Sequence, residues 1–426
     1  MKFVSSRDRQ RLFSLKEAVF MGLAPDGGLF MPAEYPEIQR SNITDSSSAG
    51  FAGLAFQLAK PFLKEDLDDD TISRIITASF DFEIPLRAIN DNIFALELFH
   101  GPTLAFKDIG ARFMARLMAE LNSDNKDITI LVATSGDTGG AVASAFHGIE
   151  NIKVTVLYPE GKVSEFQRKQ FTTLGDNVSC LAVEGNFDDC QRLVKEAFND
   201  KELRKKIKLS SANSINIGRW LPQSFYYFWG IIKWYREFSG ISPVIAVPSG
   251  NYGNLTAGML AYYSGVPVSG FIAASNINNT VPEYLETGVY SPRKSTPTVA
   301  NAMDVGDPSN FERMKYMGGS RDQLKSLISA YTLTDQEITG CISAIFEKTG
   351  YILDPHSATG YLALKKSGKK GFFIATAHPV KFLDVIPENV RKHVELPSHF
   401  RESKKKSMSI SISADYADFR QYLEGN

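Results

Sequence analysis

The sequence predicts a doubly wound α/β fold, with open, twisted, mainly parallel sheets and helices on both faces. Short apolar runs rich in β-branched residues alternate with helical patterns along most of the chain after about residue 90. This alternation is typical of strand–helix–strand units, in which both faces of each strand are buried. The clearest predicted strands are Ile128–Ala133, Lys153–Tyr158, Pro243–Val247, Val268–Ala274 and Gly371–Thr376.

The chain of 426 residues is long enough for two or three domains. Its first part differs from the rest, because helical stretches there flank a Pro- and Gly-rich turn at Ala24–Pro36 and a Ser-rich segment at Ser41–Gly50. We therefore predict an N-terminal domain at 1–90, a large domain at 91–124 and 226–426, and a small subdomain at 125–225. The charged run Arg401–Ser409 is typical of a solvated face or linker.

Composition excludes several classes of function. The net charge of -1 provides no general attraction for nucleic acid or an anionic membrane. Cys180, Cys190 and Cys341 are widely spaced and form no CxxC pair, which argues against a zinc site or a disulfide framework. The N-terminus lacks the apolar core of a signal peptide, and no run of about 18 apolar residues occurs. These features predict a cytoplasmic protein without a metal site.

Three loops follow predicted strands, where ligands bind in open α/β sheets. The first, Ala133–Phe146, carries three glycines and small polar residues that suit an anion, although Asp137 or Thr138 could simply cap the next helix. The second, Pro243–Ala261, contains SGNYGN, which matches no nucleotide fingerprint but can cup a compact phosphate. The third, Gly371–Phe382, ends its strand in Thr376, whose hydroxyl can bond a ring nitrogen.

Lys107 lies in the first turn of a helix predicted to start near Ala105. The helix dipole disfavours an ammonium group there and lowers the lysine pKa, and burial would lower it further. Gly110 and Ala111 follow on the same helical face, so nothing bulky would block a flat ligand. A surface lysine paired with Asp108 is the alternative from this segment alone. A nucleophilic lysine, a phosphate cup, a second anion loop and a strand-end hydroxyl together favour pyridoxal phosphate and an amino-acid substrate.

Eight motifs in the same order along the chain carry a family resemblance. They are APDGGLFMP, FHGPTLAFKD, ATSGDTGGA, GKVSEFQRKQFTTLGDNV, EGNFDDCQ, SANSINIGRWLPQ, VPSGNYGN and ATAHPVKF. With them the chain resembles the threonine synthase family of pyridoxal-phosphate enzymes of fold type II, related to the tryptophan synthase β subunit. The resemblance runs almost end to end and implies a tryptophan synthase β-like fold.

The resemblance also implies residue roles. Lys107 would form the Schiff base with the cofactor, and Thr376 would bond the pyridine nitrogen. The cofactor phosphate would be held by the backbone of Gly250, Asn251, Tyr252, Gly253 and Asn254. The residues implied on the substrate side are Ser135, Asp137 and Thr138. Those implied at the substrate phosphate are Asn213, Ser214, Asn216 and Arg219. Many relatives of this fold type have asparagine where this chain has Asp137.

The implied reaction converts O-phospho-L-homoserine and water into L-threonine and phosphate, with Lys107 serving several proton transfers. An amino-acid dehydratase or phospho-lyase giving a 2-keto acid would use the same lysine and cup. A non-catalytic metabolite sensor on the same fold is a further alternative. The predicted partner is the small-molecule substrate, with no nucleic acid or membrane, and the expected assembly is a monomer or homodimer. The roles of Asp108, His356 and Lys381 stay open.

Overall fold

The computed structural model describes residues 1–38, 50–122, 124, 126–398, 400 and 405–425. Most of the Ser-rich segment and the first four residues of the charged run Arg401–Ser409 lie outside this part. The described strands are β1 (Phe3–Ser5), β2 (Phe30–Pro32), β3 (Leu86–Ala88), β4 (Ile93–Glu97), β5 (Ile128–Ala133), β6 (Ile152–Pro159), β7 (Val178–Glu184), β8 (Leu209–Ser211), β9 (Val244–Pro248), β10 (Gly270–Ser275), β11 (Ile328–Thr332), β12 (Gly371–Ala375) and β13 (Ile410–Ser413).

Helices connect and cover these strands. In the described part they are α1 (Leu15–Met21), α2 (Gly50–Leu63), α3 (Asp69–Ser79), α4 (Lys107–Leu121), α5 (Asp137–Phe146), α6 (Glu165–Thr172), α7 (Phe187–Asn199), α8 (Lys201–Lys206), α9 (Ile217–Trp220), α10 (Phe225–Glu237), α11 (Gly253–Tyr263), α12 (Thr280–Thr287), α13 (Phe311–Gly318), α14 (Arg321–Leu327), α15 (Asp335–Thr349), α16 (Pro355–Ser367), α17 (Glu388–Arg391) and α18 (Tyr416–Gly425). Short 3₁₀ turns lie at Leu221–Ser224, Asn301–Met303 and Pro379–Phe382.

Two larger sheets organise the molecule. One has the strand order β11-β10-β9-β12-β4-β3 and is parallel except for β3. The other has the order β13-β7-β6-β5-β8 and is wholly parallel. Strands β1 and β2 form a small antiparallel pair. This architecture confirms the predicted fold class of mainly parallel sheets with helices.

All five strands predicted from apolar runs are present, with ends that differ by at most two residues. Sequence reasoning did not name β4, although it is buried along its whole length in the six-stranded sheet. The predicted large domain includes the C-terminal strand β13, which pairs with β7 of the five-stranded sheet. The domain boundaries themselves stay predictions.

The N-terminal segment packs closely on the rest of the chain. Phe51 of α2 contacts the Trp229 ring of α10 edge-on at 5.9 Å, and Phe80 stacks on Phe113 of α4 at 6.3 Å between ring centres. Residues from β1 to α3 share one apolar cluster with both larger sheets. These contacts pack the N-terminal segment against α4 and α10. Within the described ranges, no helix has both the length and the apolar character of a membrane span.

The close approach of β12 and β9 gives a stability prediction. A Cβ added at Gly371 would lie 1.9 Å from the Val244 carbonyl oxygen. We expect Gly371→Ala to destabilise the fold by about 1–3 kcal/mol or more, because the two backbones must separate. Thermal unfolding followed by circular dichroism measures this.

Gly340 provides the matched control. It lies on the exposed face of α15, and a Cβ there would meet nothing within 4 Å. Gly340→Ala should therefore raise the unfolding midpoint slightly, because alanine stabilises a helix interior by about 0.5–1 kcal/mol relative to glycine. Equal midpoints for the two variants would contradict the packing argument.

Candidate active site

Lys107 is the first residue of α4 and lies beside the carboxyl end of β12. The preceding residue, Phe106, donates its N–H to the Thr376 carbonyl (2.8 Å), and His378 donates its N–H to the Leu104 carbonyl (3.0 Å). Leu104 has a left-handed backbone with φ of 58°, a conformation that persists only where its surroundings hold it. These bonds hold the loop that carries Lys107 against Thr376, so the structure brings two of the predicted site residues together.

Asp137, at the start of α5, faces two lysines. Its Oδ2 lies 3.6 Å from the Lys107 Nζ, and its Oδ1 lies 3.0 Å from the Lys381 Nζ. Gln167 adds a hydrogen bond from its Nε2 to the same Oδ1 at 2.9 Å. The side chains of Lys107, Asp137 and Lys381 are 17%, 5% and 0% exposed. One buried carboxylate is thus shared between two ammonium-bearing side chains.

Burial and charge shift the pKa values of this group. Burial lowers the pKa of Lys107, and the positive charges of Lys381 and Arg219 lower it further, although Asp137 opposes them. Burial alone would raise the pKa of Asp137, but Lys381, Lys107 and the Gln167 hydrogen bond outweigh it, so that this pKa falls below its ordinary value. The balance favours an ionised Asp137 and a Lys107 amine that loses its proton more readily than an exposed lysine.

The loop after β5 is held by Thr134, a residue that sequence reasoning did not single out. Its Oγ1 accepts the N–H groups of Gly136 (2.9 Å) and Gly139 (2.8 Å), while Gly136 occupies the N-cap with no side-chain cap bond. Neither Asp137 nor Thr138 caps α5, so that alternative is wrong. The carboxylate of Asp137 instead contacts Lys107 and Lys381. The half-buried members of this loop are Ser135 and Thr138.

The turn between β9 and α11 contains several consecutive backbone N–H groups. In the described part of the chain no acceptor is found for the N–H groups of Gly250, Asn251, Tyr252, Gly253 and Asn254. Tyr252 adopts the left-handed conformation (φ 59°, ψ 11°) directly before the helix. Successive N–H groups next to a helix N-terminus are a recurrent binding site for phosphate.

The asparagine side chains of this turn have structural bonds. Asn251 donates from Nδ2 to the Ser214 Oγ at 2.7 Å, which ties the turn to the loop after β8. Asn254 donates from Nδ2 to the Pro248 carbonyl at 2.7 Å. These bonds shape the turn, whereas its backbone remains available to an anion.

Arg219, in the short helix α9, is buried, and Asp108 attracts its charge without forming a salt bridge. Its Nη1 donates to the Ala212 carbonyl at 2.5 Å, while its Nε has no partner and no carboxylate pairs with it among the described residues. Burial lowers its pKa to about 10.

A Cβ at Gly110 would lie 2.6 Å from the Arg219 carbonyl oxygen. The prediction that Gly110 leaves space for a flat ligand is therefore wrong, because the arginine backbone fills that space.

The other predicted phosphate-binding residues occupy the loop before α9. Asn216 is fully buried and donates from Nδ2 to the carbonyls of Val19 (2.8 Å) and Ser211 (2.9 Å). Both of its amide hydrogens are thus used within the protein. Asn213 has a buried Oδ1 with no partner in the described structure, and Ser214 accepts the Asn251 bond described above.

Arg313 supports this loop from α13, and sequence reasoning missed it. Its Nη1 donates to the Ser214 carbonyl at 3.0 Å, and its Nη2 donates to the Ile215 carbonyl at 2.7 Å. The guanidinium lies 4.5 Å from the centre of the Trp220 ring. It is fully buried, and burial lowers its pKa to about 9. Because α13 reads as an ordinary amphipathic helix, no sequence signal marked this arginine.

Two residues left open by the sequence have clear structural partners. Asp108 accepts the N–H (2.8 Å) and hydroxyl (2.6 Å) of Thr103, and its burial raises its pKa. It therefore braces the loop before α4 instead of capping the helix. His356 accepts the Ala302 N–H at Nε2 (3.1 Å), so its Nδ1 carries the proton and donates to Asp354 (2.9 Å).

Comparisons with known proteins agree with this geometry. A family model described as pyridoxal-phosphate dependent enzyme matches residues 82–374, and a model described as threonine synthase N terminus matches residues 2–80. The chain is 40% identical to the threonine synthase of Escherichia coli (strain K12) over 428 residues, covering 99% of each chain. It is also 40% identical to that of Serratia marcescens over 430 residues, covering 100% of this chain and 99% of the relative.

Solved structures extend the similarity to three dimensions. The crystal structure of threonine synthase from Escherichia coli superposes with a TM-score of 0.92 at 39% identity, covering 100% of both chains. The PLP-bound threonine synthase from Brucella melitensis gives a TM-score of 0.93 at 34% identity, covering 100% of this chain and 99% of that one. Full-length identity of this level, two matching family models and a shared fold lead to one conclusion: the chain belongs to the threonine synthase family of pyridoxal-phosphate-dependent enzymes.

Proposed function

We propose that the site around Lys107 converts O-phospho-L-homoserine and water into L-threonine and inorganic phosphate, with pyridoxal phosphate attached through Lys107. The observation that carries this proposal is the placement of a largely buried lysine amine 3.6 Å from Asp137, next to the strand-end residue Thr376. Burial lowers the pKa of that amine, and an uncharged amine is the form that attacks a carbonyl carbon.

The turn Gly250–Asn254 fits the cofactor phosphate. Its consecutive N–H groups find no acceptor in the described protein, and they adjoin the positive end of α11. A Cβ at Gly250 would lie 2.6 Å from the Met303 Cα, so glycine is needed for this turn to pack as it does. In this proposal Thr376 bonds the pyridine nitrogen with its hydroxyl.

The buried positive charges of two arginines are consistent with a site that binds two anionic groups. Arg219 and Arg313 are buried and form no salt bridge within the described residues, where Asp108 and Glu312 attract them only at longer range. Cations with so little compensation in a protein interior are unfavourable, so a ligand that brings negative charge is stabilised there. A phosphorylated substrate beside a phosphorylated cofactor supplies such charge.

The residues of the site have different roles in the proposed reaction. When bound, pyridoxal phosphate supplies an electron sink that stabilises negative charge at the substrate Cα. Lys107 removes and returns protons, because burial lowers the pKa of its amine and so makes the uncharged, basic form more accessible. Asp137 and Lys381 hold opposite charges beside it, and the departing phosphate can serve as a further acid or base.

Substrate phosphate binding is assigned to Arg219, with Ser214 and the amide of Asn213 nearby. A guanidinium binds phosphate through two parallel hydrogen bonds, and the unpartnered Nε of Arg219 supplies one donor. Asn216 shapes the loop, since its amide hydrogens bond backbone carbonyls. Ser135 and Thr138 line the part of the site that binds the amino-acid portion of the substrate. The proposal also includes a cytoplasmic location and a monomer or homodimer.

Replacement of the lysine tests the attachment of the cofactor. Lys107→Ala removes the amine, so we expect the visible absorption band of the purified protein with added pyridoxal phosphate to disappear while the fold is retained. The control Lys366→Ala alters an exposed lysine paired with Glu337 at 2.6 Å and should keep the band. A wild-type protein that stays colourless with the cofactor would contradict the proposal.

Product analysis separates the synthase from the alternatives. Supplied with O-phospho-L-homoserine, the protein should release threonine and phosphate in equal amounts, and Lys107→Ala should release neither. Predominance of 2-oxobutyrate would instead identify a lyase, and absence of any turnover by a coloured wild-type protein would favour a sensor.

Arg219→Gln tests the phosphate site. Loss of a charged hydrogen-bond partner is worth about 1.5–3 kcal/mol, so we expect KM for the phosphorylated substrate to rise about tenfold to hundredfold. The visible band should persist, because Arg219 is not assigned to the cofactor. Arg420→Gln, which removes an exposed ion pair with Glu424 (3.1 Å), is the matched control. An unchanged KM in Arg219→Gln would remove this arginine from the substrate site.

A further inference from the structure

Lys381 is the most completely buried ammonium group in the candidate site, and the proposed function does not use it directly. It lies in the 3₁₀ turn after β12, with a side chain that is 0% exposed. Its Nζ has three oxygen partners: the Asp137 Oδ1 at 3.0 Å, the Thr103 carbonyl at 2.6 Å and the Gln170 Oε1 at 2.8 Å. Three acceptors match the three donors of an ammonium group, so Lys381 is bonded as a charged residue.

We propose that Lys381 is a positioning residue of the active site, whose ammonium group engages one oxygen of Asp137 so that the other oxygen faces the amine of Lys107. The inference rests on the proposed role of Lys107 and concerns how the protein controls that amine. Gln167 reinforces the arrangement, because its hydrogen bond reaches the same Oδ1 that Lys381 contacts.

The electrostatic consequence has a definite sign. The ammonium of Lys381 repels a second positive charge on Lys107 and also neutralises part of the carboxylate that would stabilise that charge. Both effects favour the uncharged amine of Lys107. Removal of the Lys381 charge should therefore raise the pKa of Lys107, whereas removal of the Asp137 charge should lower it.

Other charged groups that face Lys107 act on the same balance. Arg219 from α9 adds a positive charge that lowers the pKa of Lys107, and Asp137 from α5 supplies a negative charge that raises it. Asp108, on the helix of Lys107 itself, is engaged by Thr103 and also faces Lys381. Lys381 differs from Arg219 and Asp108 because it bonds directly to Asp137, the carboxylate that faces the amine.

The test measures the pH dependence of chemical labelling at Lys107 in the cofactor-free, full-length protein. An amine-reactive acylating reagent modifies uncharged amines, and peptide mass spectrometry reports the rate at Lys107, with Lys366 as an exposed internal reference. We expect Lys381→Met to move the midpoint at Lys107 upward by about one pH unit, which means labelling about tenfold slower below that midpoint. Asp137→Asn should move it downward.

Further variants distinguish charge from packing. Lys381→Arg keeps the charge and should leave the midpoint close to that of the wild type. Gln170→Ala removes a neutral partner of Lys381 and should leave it unchanged. In the double variant Lys381→Met/Asp137→Asn, the two opposing charges are both lost, so the midpoint should return toward the wild-type value.

An unchanged midpoint in Lys381→Met, with only a loss of thermal stability, would overturn the proposal. If Lys381→Met fails to fold, an unchanged midpoint in Asp137→Asn overturns it equally. The labelling needs no cofactor, so its outcome is independent of the visible band that tests the attachment of pyridoxal phosphate. A wild-type protein that develops the band while its Lys381→Met variant labels like the wild type would leave the proposed function intact and refute only the role of Lys381.

Discussion

The site depends on one buried carboxylate, Asp137, that bridges two lysine side chains. Lys381, with no exposed surface, requires a negative partner to remain charged, and Asp137 provides it at 3.0 Å. The second oxygen of Asp137 faces Lys107, so the same residue compensates a structural charge and contacts a reactive amine. Because Gln167 also bonds Asp137, the orientation of the carboxylate is fixed by several independent contacts.

Two buried arginines of the candidate site have little compensating charge. Arg219 and Arg313 form no salt bridge in the described chain, and Asp108 and Glu312 attract them only at longer range. Folding with so little compensating charge is unfavourable in the absence of ligand. Anions that bind the folded state then stabilise it by mass action, which links the affinity of the site for phosphate groups to the stability of the fold.

Local patterns explain what the sequence could predict. Apolar runs revealed the buried strands, glycines after strands marked the turn at Gly250–Asn254, and the helical pattern placed Lys107 in the first turn of α4. The contact between Lys381 and Asp137 could not be predicted, because the two residues are far apart in the chain and no local pattern connects them. Arg313 was missed for the same reason. Gly110 was misinterpreted because its small size serves the packing of Arg219, which sequence spacing does not reveal.

The ion pair between Lys381 and Asp137 links loops that follow strands of the two larger sheets. Lys107 and Lys381 follow strands of the six-stranded sheet, whereas Asp137 follows β5 of the five-stranded sheet. Helix α5 packs on α4, and close-packed helices transmit small displacements. Coulomb energy varies inversely with distance, so an increase in the separation of Lys381 and Asp137 weakens their attraction directly. The proton affinity of Lys107 is thereby tied to the relative position of the two sheets, not to its own helix alone.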